Sequence, residues 1–193
     1  MKRSKSNRPK DCPFVGKGGL KLQFALEHFE IDVHGLVIAD LGCHVGGFTD
    51  CLLQSGALRV YAVDTAYGIL AWKLRTDERV IVHERTNALY WSPPEPLDLV
   101  VSDLGWTRQG KALPAIARML KPGGEALSLV KPQYEAPRSW LIKGVLPEEH
   151  LQEVLAGVYS SCPQELVVIA TVPSPYLGSG GNSESWLRLA RRP

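Results

Sequence analysis

Apolar residues fall into two kinds of pattern along the chain. Short, partly β-branched runs cover 36–39, 59–64, 80–84, 97–103, 125–130 and 165–171, each bounded by polar or turn residues, as buried strands of a parallel sheet are. Between them the apolar positions take helical spacing. Leu22, Ala25, Leu26 and Phe29 fall at i, i+3, i+4 and i+7 and predict one buried face of a helix over 20–29. Phe48, Cys51, Leu52 and Leu53 give the next helix its apolar face, with Gly56 as its stop. Further helices are expected over 68–74, over 111–120 up to the stop Lys121-Pro122-Gly123-Gly124, and over 147–159, opened by Pro147, Glu148 and Glu149. A glycine-serine turn at 178–181 precedes a last alternating segment, 184–189. Strand–helix alternation predicts an α/β fold: a doubly wound, mostly parallel, seven-stranded sheet with an antiparallel last strand.

One stretch departs from simple patterning. After the first strand comes Asp40-Leu41-Gly42-Cys43-His44-Val45-Gly46-Gly47-Phe48-Thr49, a glycine-rich turn opening a helix. At the carboxyl edge of a parallel sheet such a turn binds nucleotide-like cofactors. The spacing is not the G-x-G-x-x-G of dinucleotide sites. Asp64 ends the second strand about twenty residues on, placed to take a ribose diol. Arg85-Thr86-Asn87 follows the third strand, where the base of such a cofactor would lie. The alternative is an ordinary α/β turn with a capping aspartate.

Composition narrows the setting. A chain of 193 residues is long enough for one domain with a substantial core. It holds no apolar run of membrane-spanning length and no signal-peptide-like stretch, so a membrane is not an expected partner. Cys12, Cys43, Cys51 and Cys162 are scattered, which reads as reduced thiols of a cytoplasmic protein, and neither they nor the five histidines have metal-ligand spacing. The net charge of +2 is uneven: residues 1–21 carry seven basic residues against the single acid Asp11. Residues 1–13 lack periodicity and are predicted to form a basic flexible arm on a domain over 14–193, suited to a polyanion or simply solvated.

Four polar residues stand at comparable places: Lys21 near the start of the first helix, Asp103 and Lys131 at the ends of the fourth and fifth strands, Glu184 at the start of the last. Two lysines and two carboxylates are therefore expected to face one cleft beside the glycine turn.

These residues sit in motifs with a family likeness. Asp40-x-Gly42 and the following glycines resemble the first motif of S-adenosylmethionine-dependent methyltransferases. Phe14 to Leu22, Gly46 to Leu53, Tyr61 to Asp64, Glu84 to Asn87, Leu129 to Glu135 and Gly181 to Glu184 together resemble FtsJ-like RNA 2′-O-methyltransferases, in particular the TlyA (hemolysin A) type that acts on ribosomal RNA. The resemblance runs from about residue 14 to 187. It implies a catalytic Lys-Asp-Lys-Glu tetrad of Lys21, Asp103, Lys131 and Glu184. It also implies an S-adenosylmethionine site built from Asp40, Gly42, Cys43, Gly46, Gly47, Phe48, Asp64, Asn87 and Asp103. RNA, ribosomal RNA or a ribosomal subunit, is the implied partner, and no metal is implied.

The chemistry is consistent with that implication. A ribose hydroxyl needs a base, and Lys131 is the candidate; an ordinary lysine is protonated at neutral pH, so Lys21 and partial burial would have to favour its neutral form. Two departures stand out: the family's S4-like RNA-binding domain has only the basic arm in its place, and Leu104-Gly105-Trp106 replaces a Ser-Phe segment. Trp106, Tyr134 and Trp140 are suited to stack on an unpaired base, with Arg138 and Lys143 on phosphates, or to pack the core or a lid. The alternatives are a non-catalytic RNA-binding protein on the same fold and a methyltransferase acting on a base or small molecule.

Overall fold

The structure is a computed structural model, and it describes residues 12–193. The predicted arm therefore lies, up to residue 11, outside the described residues.

The elements follow in the order α1 (Gly18–His28), β1 (Val37–Leu41), α2 (Gly47–Gln54), β2 (Arg59–Val63), α3 (Trp72–Arg75), β3 (Val80–His83), β4 (Leu97–Ser102), α4 (Gln109–Met119), β5 (Leu120–Val130), α5 (Pro132–Glu135), α6 (Leu151–Ser160), β6 (Leu166–Pro173) and β7 (Ser185–Arg191). They form one seven-stranded sheet of order β3-β2-β1-β4-β5-β7-β6. β1 to β5 pair in parallel, and β7 runs antiparallel between β5 and β6. The order reverses at β1, so the ends of β1 and β4 flank a crevice where ligands of such sheets bind.

Two apolar layers sandwich the sheet. Strand residues of one parity, among them Ile38, Val60, Leu99 and Leu127, pack with Leu22 and Ala25 of α1 and Phe48 and Leu52 of α2. The opposite parity, including Ala39, Tyr61, Val100 and Leu187, packs with Leu113 and Ile116 of α4 and Leu155 and Val158 of α6. The predicted stripe of α1 is buried as expected: Leu22, Ala25, Leu26 and Phe29 are all core residues. Trp186 of β7 is fully buried and meets the Phe48 ring at 5.5 Å, which joins the last strand to the glycine turn.

Two local expectations are corrected, and one segment with no predicted element proves structured. The helix expected over 68–74 is only the turn Trp72–Arg75, because the backbone before it bonds elsewhere: Gly68 N–H donates to Glu84 and Ala71 N–H to the Val45 carbonyl. β5 begins at Leu120, not at 125, since Leu120 pairs with Leu97 before the register shifts. The segment 132–146 is structured: α5, a 3₁₀ turn at Arg138–Trp140 and a bridge from Ile142 to Val145 fill it.

Candidate active site

The carboxyl edge of the sheet is shaped by the turn between β1 and α2. Gly42 sits at φ +86°, and a Cβ there would lie 2.8 Å from the Asp103 carbonyl, so no side chain fits between the ends of β1 and β4. Gly46, at φ +97°, abuts Leu70 and Leu74, and a Cβ would come within 2.2 Å of the latter. Gly47 packs against the backbone of Gly16 and Gly19, which brings α1 and its glycine-rich entry onto the turn.

Two adjoining cavities share Gly42, His44 and Asp103 as walls. One, about 370 Å³, is bounded by Val15, Gly16, Cys43 and Phe48; the other, about 500 Å³, by Asp64, Thr86, Asn87, Trp106 and Lys131. Together they have the size and mixed lining of a nucleoside-cofactor site. The Asp64 carboxylate is fixed by the N–H groups of His44 and Ala66, each donating at 2.8 Å, and faces the larger cavity. A rigid acid there suits a ribose diol. Asn87 Oδ1 accepts from Leu89 N–H at 2.9 Å, which orients the amide at the same rim.

Not every residue expected at the cofactor is in the cavities. Asp40 and Gly46 line neither. Asp40 is fully buried beneath the turn, on the face it shares with Ile38, and its Oδ2 accepts from Thr49 N–H at 2.9 Å and Thr49 Oγ1 at 2.7 Å. It holds the first turn of α2 in place, while Oδ1 has no hydrogen-bond partner. Burial, reinforced by the charges of Asp103 and Asp64 and opposed by the Thr49 bonds, pushes its pKa up to about 7. Burial also pushes the Cys43 thiol up, so this cavity residue is no nucleophile at neutral pH.

The four polar residues meet as two ion pairs. Lys21 Nζ donates to Glu184 Oε2 at 2.5 Å; Glu184 is 2% exposed and Lys21 13%. Lys131 pairs with Asp103 Oδ1 between the ends of β5 and β4. The pairs lie within electrostatic reach of each other: burial raises the Glu184 pKa, Lys21 and Lys131 oppose the rise, and Asp103 adds to it. Asp103 and Lys131 line the larger cavity, whereas Lys21 and Glu184 stand outside both linings. A cation in the first turns of a helix opposes the helix dipole, and here the Lys21 ammonium is balanced by a buried carboxylate from the far end of the chain.

Asp50 and Asn182, not singled out by sequence reading, complete the frame, and the aromatic and basic residues expected at RNA take separate places. Asp50 Oδ2 accepts from Val15 N–H at 2.8 Å, and Lys73 and Gln54 donate to its Oδ1, so one carboxylate ties the cavity entry to α2 and α3. Asn182, also buried, bridges the loops beside Glu184. Trp106 is 89% exposed at φ +58° on the cavity rim, its ring 5.0 Å from that of Tyr134. Trp140, by contrast, stacks on His150 and packs beside Ala136 and Leu146. Arg138 and Lys143 are both exposed. Among the described residues, no helix is long and apolar enough to cross a membrane.

A glycine turn on β1, an acid ending β2 and an adjoining pair of cavities on this sheet order define an S-adenosylmethionine-dependent methyltransferase fold. Comparison with known proteins specifies it further. Residues 14–191 match the family described as FtsJ-like methyltransferase, and the chain belongs to that family. It is 39% identical over 183 residues to the Bacillus subtilis protein named "Putative rRNA methyltransferase YqxC", covering 91% of this chain and 65% of that one. It is 38% identical over 182 residues to the Mycobacterium tuberculosis "16S/23S rRNA (cytidine-2'-O)-methyltransferase TlyA", covering 91% and 68%. The chain thus spans about two thirds of the length of these relatives. Among solved structures, that of "Putative hemolysin from Streptococcus thermophilus" superposes with a TM-score of 0.88 at 34% identity, over 96% of this chain and 70% of that one.

Proposed function

We propose that this protein transfers a methyl group from S-adenosylmethionine to a ribose 2′-hydroxyl of RNA, with ribosomal RNA as the substrate class and the cytoplasm as its location. The observation that carries this reading is the Lys131–Asp103 ion pair on the wall of the cavity that Asp64 and Gly42 also line. The names of the relatives, two of which specify ribosomal RNA, support the substrate class.

In this reading Gly42, Cys43, Gly47 and Phe48 would cradle one part of the cofactor, and Asp64 and Asn87 would hold its ribose and base. Asp40 and Gly46 act on the cofactor through the turn they shape. S-adenosylmethionine, when bound, supplies an electrophilic methyl carried on a cationic sulfur. Lys131 Nζ, held by Asp103, would orient the ribose hydroxyl; once its own proton has passed to solvent, the neutral amine would take the hydroxyl proton and return to the ammonium that pairs with Asp103. Glu184 and Lys21, outside the cavity linings, act on Asp103 and Lys131 through their charges. Alignment of attacking oxygen, methyl and leaving sulfur is the main task, so positioning carries much of the rate. What supports a catalytic over a purely RNA-binding role is that Lys131 and Asp103 lie on the wall of the same cavity as Asp64 and Gly42.

The test is Lys131→Ala, assayed with unmodified ribosomal RNA transcripts and radiolabelled S-adenosylmethionine. Transfer is expected to fall by about three orders of magnitude or more, in the range of a lost acid–base group with its positioning. Cofactor affinity, measured by calorimetry, should change little. Full activity in the variant overturns the assignment of Lys131, and ribose-level mapping that finds the label on bases overturns the 2′-hydroxyl.

A further inference from the structure

The segment after β5 ends in a tight finger. Ile142 and Val145 exchange both backbone hydrogen bonds, at 2.9 and 3.0 Å, and the two residues between them, Lys143 at φ +51° and Gly144 at φ +83°, both take left-handed conformations. This is the two-residue hairpin turn with positive φ at both central positions, and a lysine is an unusual occupant of such a place. The turn puts the exposed Lys143 ammonium at its tip, with no carboxylate within ion-pair distance among the described residues.

The base of the finger is hydrogen-bonded by one buried side chain, beside the packing of Leu146 against Ala136 and Val154. Asn182, 3% exposed, accepts from Leu146 N–H through Oδ1 at 3.0 Å and donates through Nδ2 to the Gly144 carbonyl at 3.0 Å. Both bonds are long-range, spanning 36 and 38 positions. Two residues further on is Glu184. Its carbonyl accepts from Ser174 N–H at 2.8 Å, the Asn182 carbonyl accepts from Gly178 N–H at 2.9 Å, and its carboxylate rests against Gly178, where a Cβ would come within 2.1 Å of Oε1. One buried amide therefore joins the cationic finger to the loop that sets Glu184, and through Glu184 to Lys21.

We infer that Asn182 is a positioning residue that couples RNA contact at the Lys143 finger to the placement of Glu184. The inference rests on the functional reading above and adds to it the means by which the substrate's backbone and the reacting hydroxyl are presented together. Phosphate engaged by Lys143 is held at a fixed offset from the Lys21–Glu184 pair because both hang on the same amide. An asparagine suits this task since it satisfies one donor and one acceptor at once, and either an alanine or an aspartate leaves a buried backbone group unmet.

The experiment is a double-mutant cycle on the full chain, with unmodified ribosomal RNA transcripts as probe. Asn182→Ala should lower kcat at saturating RNA by about tenfold or more, as small misplacements at a reacting centre do. Its S-adenosylmethionine affinity by calorimetry should stay within about twofold, where a merely structural lesion would lower melting temperature and leave kcat per folded molecule unchanged. Asn182→Asp keeps the acceptor for Leu146 N–H, should fall between wild type and alanine, and serves in its place if the alanine variant fails to fold. Lys143→Gln should raise KM for RNA about threefold in the wild-type background and flatten its salt dependence by about one phosphate contact. In the Asn182→Ala background the same change should cost less than about 1.5-fold, since linked residues lose additivity. Equal losses from Lys143→Gln in both backgrounds, or an unchanged kcat in Asn182→Ala, overturn the inference alone. An absence of methyl transfer by the wild-type chain overturns the functional reading and this inference with it.

Discussion

Lys21 and Glu184 stand 163 positions apart in the chain and meet in an ion pair of 2.5 Å, with the carboxylate 2% exposed. The pair joins the first helix to the last strand across the top of the sheet. Its energetics are asymmetric: forming a buried pair returns little net stability, but removing one partner strands a charge.

Lys21→Ala should therefore destabilise the fold by about 3–5 kcal/mol at neutral pH, the usual cost of orphaning a buried ion. The loss has a predictable pH dependence. Burial already raises the Glu184 pKa, and Lys21 opposes that rise, so without the lysine the folded-state value climbs further. A carboxyl whose folded pKa exceeds its unfolded one binds more protons when folded, so stability falls as pH rises through the interval between the two. Thermal melts of Lys21→Ala should be closest to wild type in mild acid and furthest from it above neutrality. Lys21→Ala combined with Glu184→Gln should regain most of the stability and none of the methyl transfer. A double variant that stays as unstable as the single one contradicts this account.

The glycine turn gives a sharper structural test. Gly42 has both a left-handed φ of +86° and a carbonyl 2.8 Å from where a Cβ would sit. Gly42→Ala must displace the end of β4, and with it Asp103. We expect S-adenosylmethionine affinity to fall by about tenfold or more, the equivalent of roughly 1.4 kcal/mol, from strain of this kind at a ligand cradle. Calorimetry of a folded variant binding with wild-type affinity would show that the cofactor does not rest on this turn.

The frame was legible in the chain because its signals are local. Strand ends declare themselves where an apolar run stops, which put Asp64, Asp103 and Lys131 at one edge before any coordinates. Asp40 shows the limit of proximity reasoning. It adjoins the glycine turn in sequence, yet strand parity sends its side chain to the face of Ile38, beneath the turn and out of the cavities. Its alternation with Ala39 and Leu41 holds that information. Asn182 left no such trace: a polar residue in a glycine-serine turn reads as turn chemistry, and its two bonds reach 36 and 38 positions back. The same holds for 132–146, whose short elements are fixed by contacts such as Glu135 with Gln109 N–H that carry no period.

Asp40 also makes a prediction about stability. Its pKa of about 7 lies above the ordinary 3.8, driven by burial, so the folded protein binds a proton there that the unfolded chain releases above about pH 4. Stability should decline as pH rises from about 4 to 7 and flatten above, by a few kcal/mol at most, at about 1.4 kcal/mol for each pH unit of displacement. Asp40→Asn keeps an acceptor for Thr49 and removes the charge. Chemical unfolding across pH 5 to 8 should show a weaker slope in Asp40→Asn than in wild type, and parallel curves would remove Asp40 as the titrating group.

The rim of the larger cavity offers the last test. Trp106 is 89% exposed and left-handed, two unfavourable conditions for an indole with nothing to cover it, and Tyr134 lies beside it at 5.0 Å with an interplanar angle of 31°. The segments that carry the two rings are tied together. Arg108 donates to the Tyr134 carbonyl, and Glu135 accepts from Gln109 N–H at 2.7 Å, so hydrogen bonds join the segments after β4 and β5. An exposed ring on the rim of the cavity that Lys131 and Asp103 line suits an unstacked base. Trp106→Ala should weaken RNA binding by about 1–3 kcal/mol, the worth of one base–aromatic stack, with cofactor affinity unchanged and Trp106→Phe retaining most of the effect. The readout that separates stacking from packing is thermal stability: an 89% exposed side chain contributes little to the core, so Trp106→Ala should melt with the wild type. A variant that melts early while binding RNA normally would make Trp106 a packing residue.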